Sequence, residues 1–115
     1  IRDRWYLGKS LDGFTPMGPC IVTADEIPDP QCLAISSRVN GELRQSSNTS
    51  LQIQTVAGAI SELSQGMTLL PGTIIATGTP SGVGMGFQPP RFLKPGDEVI
   101  CEVERIGALR NIIGR

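Results

Sequence analysis

Fourteen glycines and nine prolines are spread along 115 residues in small groups, never in one tract. Each group interrupts whatever precedes it, because proline fixes φ and withholds a backbone donor, and glycine admits conformations other residues avoid. The chain is therefore expected to fold as short elements separated by turns. It contains no internal repeat and no low-complexity segment. The stretch Asp12-Gly13-Phe14-Thr15-Pro16-Met17-Gly18-Pro19 cannot be helical and reads as a loop held against something. Cys20 to Thr23 then reads as a short strand, ended by an acidic, proline-bounded linker from Ala24 to Pro30.

The clearest local signal is Asn40-Gly41, the dipeptide best suited to the two positive φ angles of a type I′ hairpin turn. Residues 32–39 enter that turn as a strand, and Glu42 to Ser46 return antiparallel. Asn48, Thr49 and Ser50 are N-cap types, and Ile53, Val56, Ala57, Ile60 and Leu63 recur at spacings of three and four. One amphipathic helix is predicted over about 51–64, closed by Gly66 as a left-handed cap. Thr73 to Thr77 is β-branched and apolar. Glu98 to Arg105 alternates Val99, Cys101 and Val103 against Glu98, Ile100, Glu102 and Glu104, the period of a half-buried strand. Ile106-Gly107-Ala108 turns into a last strand, Leu109 to Ile113. With Pro-Gly turns at 71–72 and 95–96, the reading is a single α+β domain over 1–115, mainly β, with one principal helix. One Trp, one Tyr and three Phe are little to fill a core, so the domain is expected to lean on a neighbour or partner subunit.

Ten Lys+Arg against eleven Asp+Glu give a formal charge of −1, which lacks the electrostatic footprint of a nucleic-acid or membrane-surface binder. No apolar run reaches the roughly 20 residues that cross a bilayer, and no secretory leader opens the chain. A cytoplasmic protein is the expectation. There is no histidine, so histidine chemistry within this chain is excluded. Cys20, Cys32 and Cys101 form no CxxC pair and are expected to be buried or half-buried small apolar residues.

Three segments carry more special residues than folding requires. Gly8-Lys9-Ser10 closes a phosphate-loop pattern, but Asp3 stands where its first glycine belongs, so nucleotide binding is rejected. Lys9 alone is either a surface charge or a compact ammonium offering three donors to a developing oxyanion or enolate. Gln45-Ser46-Ser47-Asn48-Thr49 reads as hairpin exit plus helix cap, and its sequon Asn48-Thr49-Ser50 as accidental. The segment Ala76-Thr77-Gly78-Thr79-Pro80-Ser81-Gly82-Val83-Gly84-Met85-Gly86 allows close backbone approach. Its hydroxyls and free N–H groups suit a carboxylate or carbonyl oxygen, and its spacing does not suit a dinucleotide.

Together, GKSLDGFTPMGPCIVTADE, VNGELRQSSNTS, LLPGTIIATGTPSGVGMG and LKPGDEVICEVERIGALRN resemble, in order and spacing, the C-terminal part of the fumarylacetoacetate hydrolase family. The likeness runs from about Trp5 to Ile113 and is nearest to its acylpyruvate hydrolase, oxaloacetate decarboxylase and 2-hydroxyhepta-2,4-diene-1,7-dioate isomerase branches. The resemblance implies a mixed β-sandwich roll, a homodimer, Mg²⁺ or Mn²⁺, and a small 2-oxo acid substrate. The family's metal triad, a Glu-x-Glu pair and an Asp, precedes the Gly-Lys-Ser segment and has no match here. The principal ligands are therefore expected upstream of Ile1, as is the Glu-His dyad of the hydrolytic members. Glu102 and Glu104 form a Glu-x-Glu in a late strand, outside that motif, and are expected to face solvent. Lys9 matches the family's active-site lysine and Thr79 its carboxylate-binding threonine, while Gly13 has no side chain to carry the metal-proximal role of its position. With Ile1 in place of a methionine, the chain reads as the C-terminal portion of a longer enzyme. The implied reaction hydrolyses or decarboxylates a C–C bond beside the 2-oxo acid through an enolate stabilised by the metal. An isomerase of 2-hydroxy-diene-dioates and a non-catalytic β-rich binding domain are the competing readings.

Overall fold

The computed structural model describes residues 8–114. Strand β1 (Ala34–Val39) turns through Asn40 and Gly41, at φ 50° and 81°, into β2 (Glu42–Asn48), which is the hairpin the Asn-Gly dipeptide predicts. A 3₁₀ turn (Thr49–Leu51) leads to helix α1 (Val56–Ser64), and the chain then runs without ladder partners to β3 (Glu98–Val103) and β4 (Gly107–Ile112). The four strands form one antiparallel sheet in the order β2-β1-β3-β4, with a bulge between Ser37 and Arg38. This is the α+β, mainly β architecture with one principal helix expected above.

Side chains fix where the ladders begin and end. Asn40 N donates to Glu98 O, Glu98 N donates to Asn40 Oδ1, and Asn40 Nδ2 donates to Asp97 Oδ1, each at 2.9 Å. The hairpin tip is thereby clamped to the start of β3. At the opposite end Ala34 N donates to Glu104 Oε2 at 2.9 Å, and Glu104 N donates to Ala34 O at 2.8 Å. Both Pro-Gly turns form as read. Thr73 N donates to Leu70 O and Asp97 N to Lys94 O at 3.0 Å, with Gly72 and Gly96 at positive φ as a type II turn requires.

The helix begins at Val56 because Thr55, not the Asn48–Ser50 group, supplies its cap: Thr55 Oγ1 accepts from Gly58 N at 3.0 Å. Asn48 instead caps the 3₁₀ turn through Ser50 N. Gln31 ties both to β1, accepting from Val56 N at 2.6 Å and donating to Thr49 O and to Gln52 Oε1. Ile53 therefore lies before the helix and is fully exposed, while Val56, Ala59 and Leu63 form its half-buried face. Gly66 is not left-handed. Gln65 closes the helix in right-handed geometry, and the amides of Gly66 and Met67 return to Leu63 O.

Three further expectations need correction. Cys20–Thr23 and Thr73–Thr77 pair with nothing in a ladder among the described residues. The last strand starts two residues earlier than read, at Gly107, because Arg105 (φ 66°) and Gly107 (φ 117°) make the reversal. All three cysteines are exposed rather than buried, since no second layer among the described residues covers their faces. Ile27 and Leu33 are the buried apolar side chains of the described residues. Accessible surface totals 9367 Å², against about 6,100 Å² expected for a compact monomer of this mass.

One long loop is nevertheless held tightly against β2. Gly82 sits at φ 104°, and a Cβ there would lie 2.1 Å from Arg44 O, so the loop backbone rests directly on the strand backbone. Arg91 N donates to Gly84 O at 2.8 Å, and Arg91 Nη1 meets Glu42 Oε1 at 2.7 Å. The Arg44 and Arg91 guanidiniums both lie over the Phe87 ring, 5.4 and 5.0 Å from its centroid.

Two outcomes follow from these contacts. Gly82→Ala is expected to destabilise the protein by about 2–4 kcal/mol, from positive-φ strain plus steric overlap. Gly66→Ala, with open space and ordinary φ, should be near neutral. Urea midpoints at constant m-value decide, and equal effects at the two sites would refute the docking. Asp97 is held below the usual carboxylate range, first by the Asn40 side chain and then by the Lys94 amide. Those bonds favour the charged form. Their contribution is complete above the unfolded carboxylate value, about pH 4, and is lost as pH falls through the lower folded value. Asp97→Asn should therefore flatten the acid limb of stability against pH, and an unchanged limb would contradict the clamp.

Candidate functional site

Strand periodicity puts Ile35, Ser37, Gln45, Cys101 and Val103 on one face of the sheet, Ser37 facing Gln45 across one ladder and Cys101 across the other. That face is the floor of a cavity of about 840 Å³. One wall is the run from Asn48 to Gln54, which bends off β2 through the capped 3₁₀ turn. The other is Thr77–Ser81, the glycine-rich segment singled out in the sequence. Two of the three special segments thus meet around one space.

The join between floor and wall is a single amide. Gln45 Nε2 donates to Thr79 Oγ1 and to Pro80 O, both at 2.8 Å, and Gln45 Oε1 accepts from Ser37 Oγ at 2.8 Å. Gly78, at φ 98° with open space where a Cβ would stand, leaves the backbone beside Thr79 accessible from the cavity. Hydroxyl and amide side chains are set into a lining whose exposed surface is mainly apolar, with Ile35, Leu51, Ile53, Val56 and Val103 among it. Glu102 is the charged side chain among the described lining residues, so the cavity can orient a polar ligand by hydrogen bonding rather than by charge.

Of the predicted site residues, Thr79 lies in the cavity wall with an exposed side chain. Lys9 is exposed in a helical turn at Gly8–Lys9 and is not among the lining residues. Gly13 is exposed at φ 76° with open space around it. Glu102 and Glu104 are both exposed, as expected, and the Glu104 carboxylate is occupied by the Ala34 amide. Among the described residues no group of three His, Cys, Asp or Glu side chains could hold a metal ion. The described residues therefore do not fit a self-contained divalent-metal site. No helix among them is long and apolar enough to cross a membrane.

Gln45 is the residue that the sequence reading passed over by assigning its segment to capping. The available signal was its place at even spacing from Ser47, a polar pair on the strand face opposite Ser37, where a floor of apolar side chains would otherwise be expected.

The chain is 54% identical over 108 residues to oxaloacetate tautomerase Fahd2a, mitochondrial, of Rattus norvegicus, covering 94% of this chain and 34% of that protein. Among solved structures it is similar to the fumarylacetoacetate hydrolase of the psychrophile Exiguobacterium antarcticum. The TM-score there is 0.91 at 51% identity, over 94% of this chain and 39% of that one. It is likewise similar to maleylpyruvate hydrolase from Sphingobium sp. SYK-6 in complex with manganese(II) ion and pyruvate, with a TM-score of 0.83 at 40% identity. That match covers 92% of this chain and 38% of that one. The chain thus spans little more than a third of the length of the relatives it matches. The model of the fumarylacetoacetate (FAA) hydrolase C-terminal family matches residues 2–114, and with the sheet and cavity in place the chain belongs to that family.

Proposed function

We propose that the protein carrying this chain is an enzyme acting on a small 2-oxo acid, and that this chain supplies the groups that hold the substrate's carboxylate. The observation that carries the proposal is Thr79 in the cavity wall, on the glycine-rich loop, with further hydroxyl and amide groups around the same space. The relatives' names support the substrate class: an oxaloacetate tautomerase, a maleylpyruvate hydrolase and a fumarylacetoacetate hydrolase all act on compounds that carry a carboxylate.

In this mechanism the Thr79 hydroxyl and neighbouring loop amides donate to the carboxylate and align the reacting bond. Bond cleavage or proton loss beside the carbonyl places negative charge on the carbonyl oxygen, giving an enolate. Lys9, as an ammonium brought to the substrate, offsets that charge or holds a water. A divalent cation, Mg²⁺ or Mn²⁺, is supported by the manganese and pyruvate of the maleylpyruvate hydrolase complex, and its ligands would come from outside the described residues. Hydrolytic or decarboxylating C–C cleavage is the first reading. The oxaloacetate tautomerase name favours a second, in which the carbon beside the carbonyl loses a proton and the enolate is reprotonated on oxygen or carbon, with no C–C bond broken. A homodimer would place further protein against the open apolar surface.

The intact protein, assayed with oxaloacetate and with acylpyruvates in Mg²⁺, tests these roles. Lys9→Ala should lower kcat by about 10²–10³, the scale of losing one oxyanion-stabilising donor, and undiminished turnover would remove Lys9 from the mechanism. Thr79→Val should raise KM about tenfold, the scale of one hydrogen bond to a charged group. Following enol absorbance and pyruvate release together separates tautomerisation from cleavage.

A further inference from the structure

The Gln45 amide hydrogen-bonds the glycine-rich loop at Thr79 and Pro80, and these bonds determine which way the Thr79 hydroxyl must work. The Pro80 carbonyl can only accept, and it lies 2.8 Å from one end of the Gln45 amide. That end is therefore the NH₂ group, since a carbonyl oxygen there would face another carbonyl oxygen at contact distance. The opposite end is the amide oxygen, which receives the Ser37 hydroxyl proton at 2.8 Å. The NH₂ group has two protons. One goes to Pro80 O, and the other points to Thr79 Oγ1, also at 2.8 Å.

A threonine hydroxyl donates one hydrogen bond and accepts up to two. With an accepting position filled by Gln45, the Thr79 hydroxyl keeps its proton for a partner elsewhere, and the cavity is the space it borders. We infer that Gln45 is a positioning residue that commits the Thr79 hydroxyl to donate into the cavity, so that the site accepts a ligand presenting an oxygen acceptor such as a carboxylate. This rests on the reading of Thr79 as the carboxylate-binding group. Ser37 belongs to the same device, because its proton on the amide oxygen holds the amide in that orientation. The relay runs from β1 through β2 to the loop, and each hydrogen bond in it points the same way.

The test compares Gln45→Met, Gln45→Glu and Ser37→Ala in the intact protein, alone and combined with Thr79→Val, with oxaloacetate as substrate and melting temperature as the check on folding. Methionine matches glutamine in length and removes the donor, so KM should rise about tenfold with kcat within about threefold. A carboxylate at position 45 accepts the Thr79 proton and turns lone pairs toward the cavity. Gln45→Glu should therefore raise KM further than Gln45→Met, though it matches glutamine in shape. Ser37→Ala, the mildest change, should raise KM two- to fivefold at unchanged melting temperature, on the scale of one neutral hydrogen bond. In the Thr79→Val background, Gln45→Met and Ser37→Ala should each change KM less than about twofold, because the group they act through is gone, whereas Gln45→Glu still repels a carboxylate by its charge. Equal KM increases for Gln45→Met and Ser37→Ala with and without the Thr79 hydroxyl would overturn the inference, as would Gln45→Glu binding substrate as well as the unaltered protein. If Thr79→Val itself leaves KM unchanged, the carboxylate reading of Thr79 fails instead. The two failures are therefore distinguishable.

Discussion

The approach of the Gly82 backbone to the Arg44 carbonyl is the constraint on which the cavity depends. At 2.1 Å a Cβ would not fit, so only glycine at positive φ lets this loop lie flat on β2. Once it lies there, Gln45, the next residue along the strand, is within reach of Thr79 and Pro80. Farther along the loop, the Phe87 ring meets the Arg44 and Arg91 guanidiniums, and Glu42 engages Arg91. These contacts lie on the surface, where a single ion pair contributes about 0–1 kcal/mol. Their use is to hold one loop in one place rather than to stabilise the fold greatly. Arg44 shows the cost: its Nε is shielded from water and lies 3.4 Å from Glu42 Oε2 without an aligned hydrogen bond.

How much of this was legible beforehand depended on whether a signal was local. Asn40-Gly41 and the two Pro-Gly turns dictate backbone angles within two or three residues, and all three formed as read. The alternation read over Glu98 to Arg105 gave β3 for the same reason, although the strand ends at Val103. The helix start was ambiguous because Asn48, Thr49, Ser50 and Thr55 are all capping types. The choice fell to Gln31, whose side chain receives the Val56 amide from 25 residues away. No propensity scale contains that contact. The strand readings at 20–23 and 73–77 failed because β-branched composition states what suits a strand and not whether an edge is available to pair with it.

The site divides along the same line. Thr79 was singled out through its resemblance to a known pattern, and the glycines around it announced a loop of unusual backbone freedom. Gln45 was missed because its role appears only when β2 and residues 77–81, more than 30 positions apart, are brought together. A glutamine followed by two serines and an asparagine looks like a strand running into a cap, and part of it is. Asn48 does cap, and Thr49 Oγ1 does receive the Leu33 amide. Capping and site construction are done by alternate residues of one short segment.

A cavity without cationic lining and an unusually open apolar surface lead to the same physical conclusion. A carboxylate leaving water for hydroxyl and amide donors alone is incompletely compensated, because the loss of solvation is larger than a few neutral hydrogen bonds recover. For the carboxylate substrate proposed above, positive charge would have to come from groups beyond the described lining, such as Lys9 or a cation held by other protein surface. Ile21, Leu51, Ile53 and Phe92 stand in water here, and Leu51 and Ile53 stand at the cavity itself. Burying such side chains stabilises a structure by about 1.5–3 kcal/mol each. Surface that packs over Leu51 and Ile53 would also bring its own groups to the cavity mouth, so covering the apolar wall and completing the charge of the site can be one event.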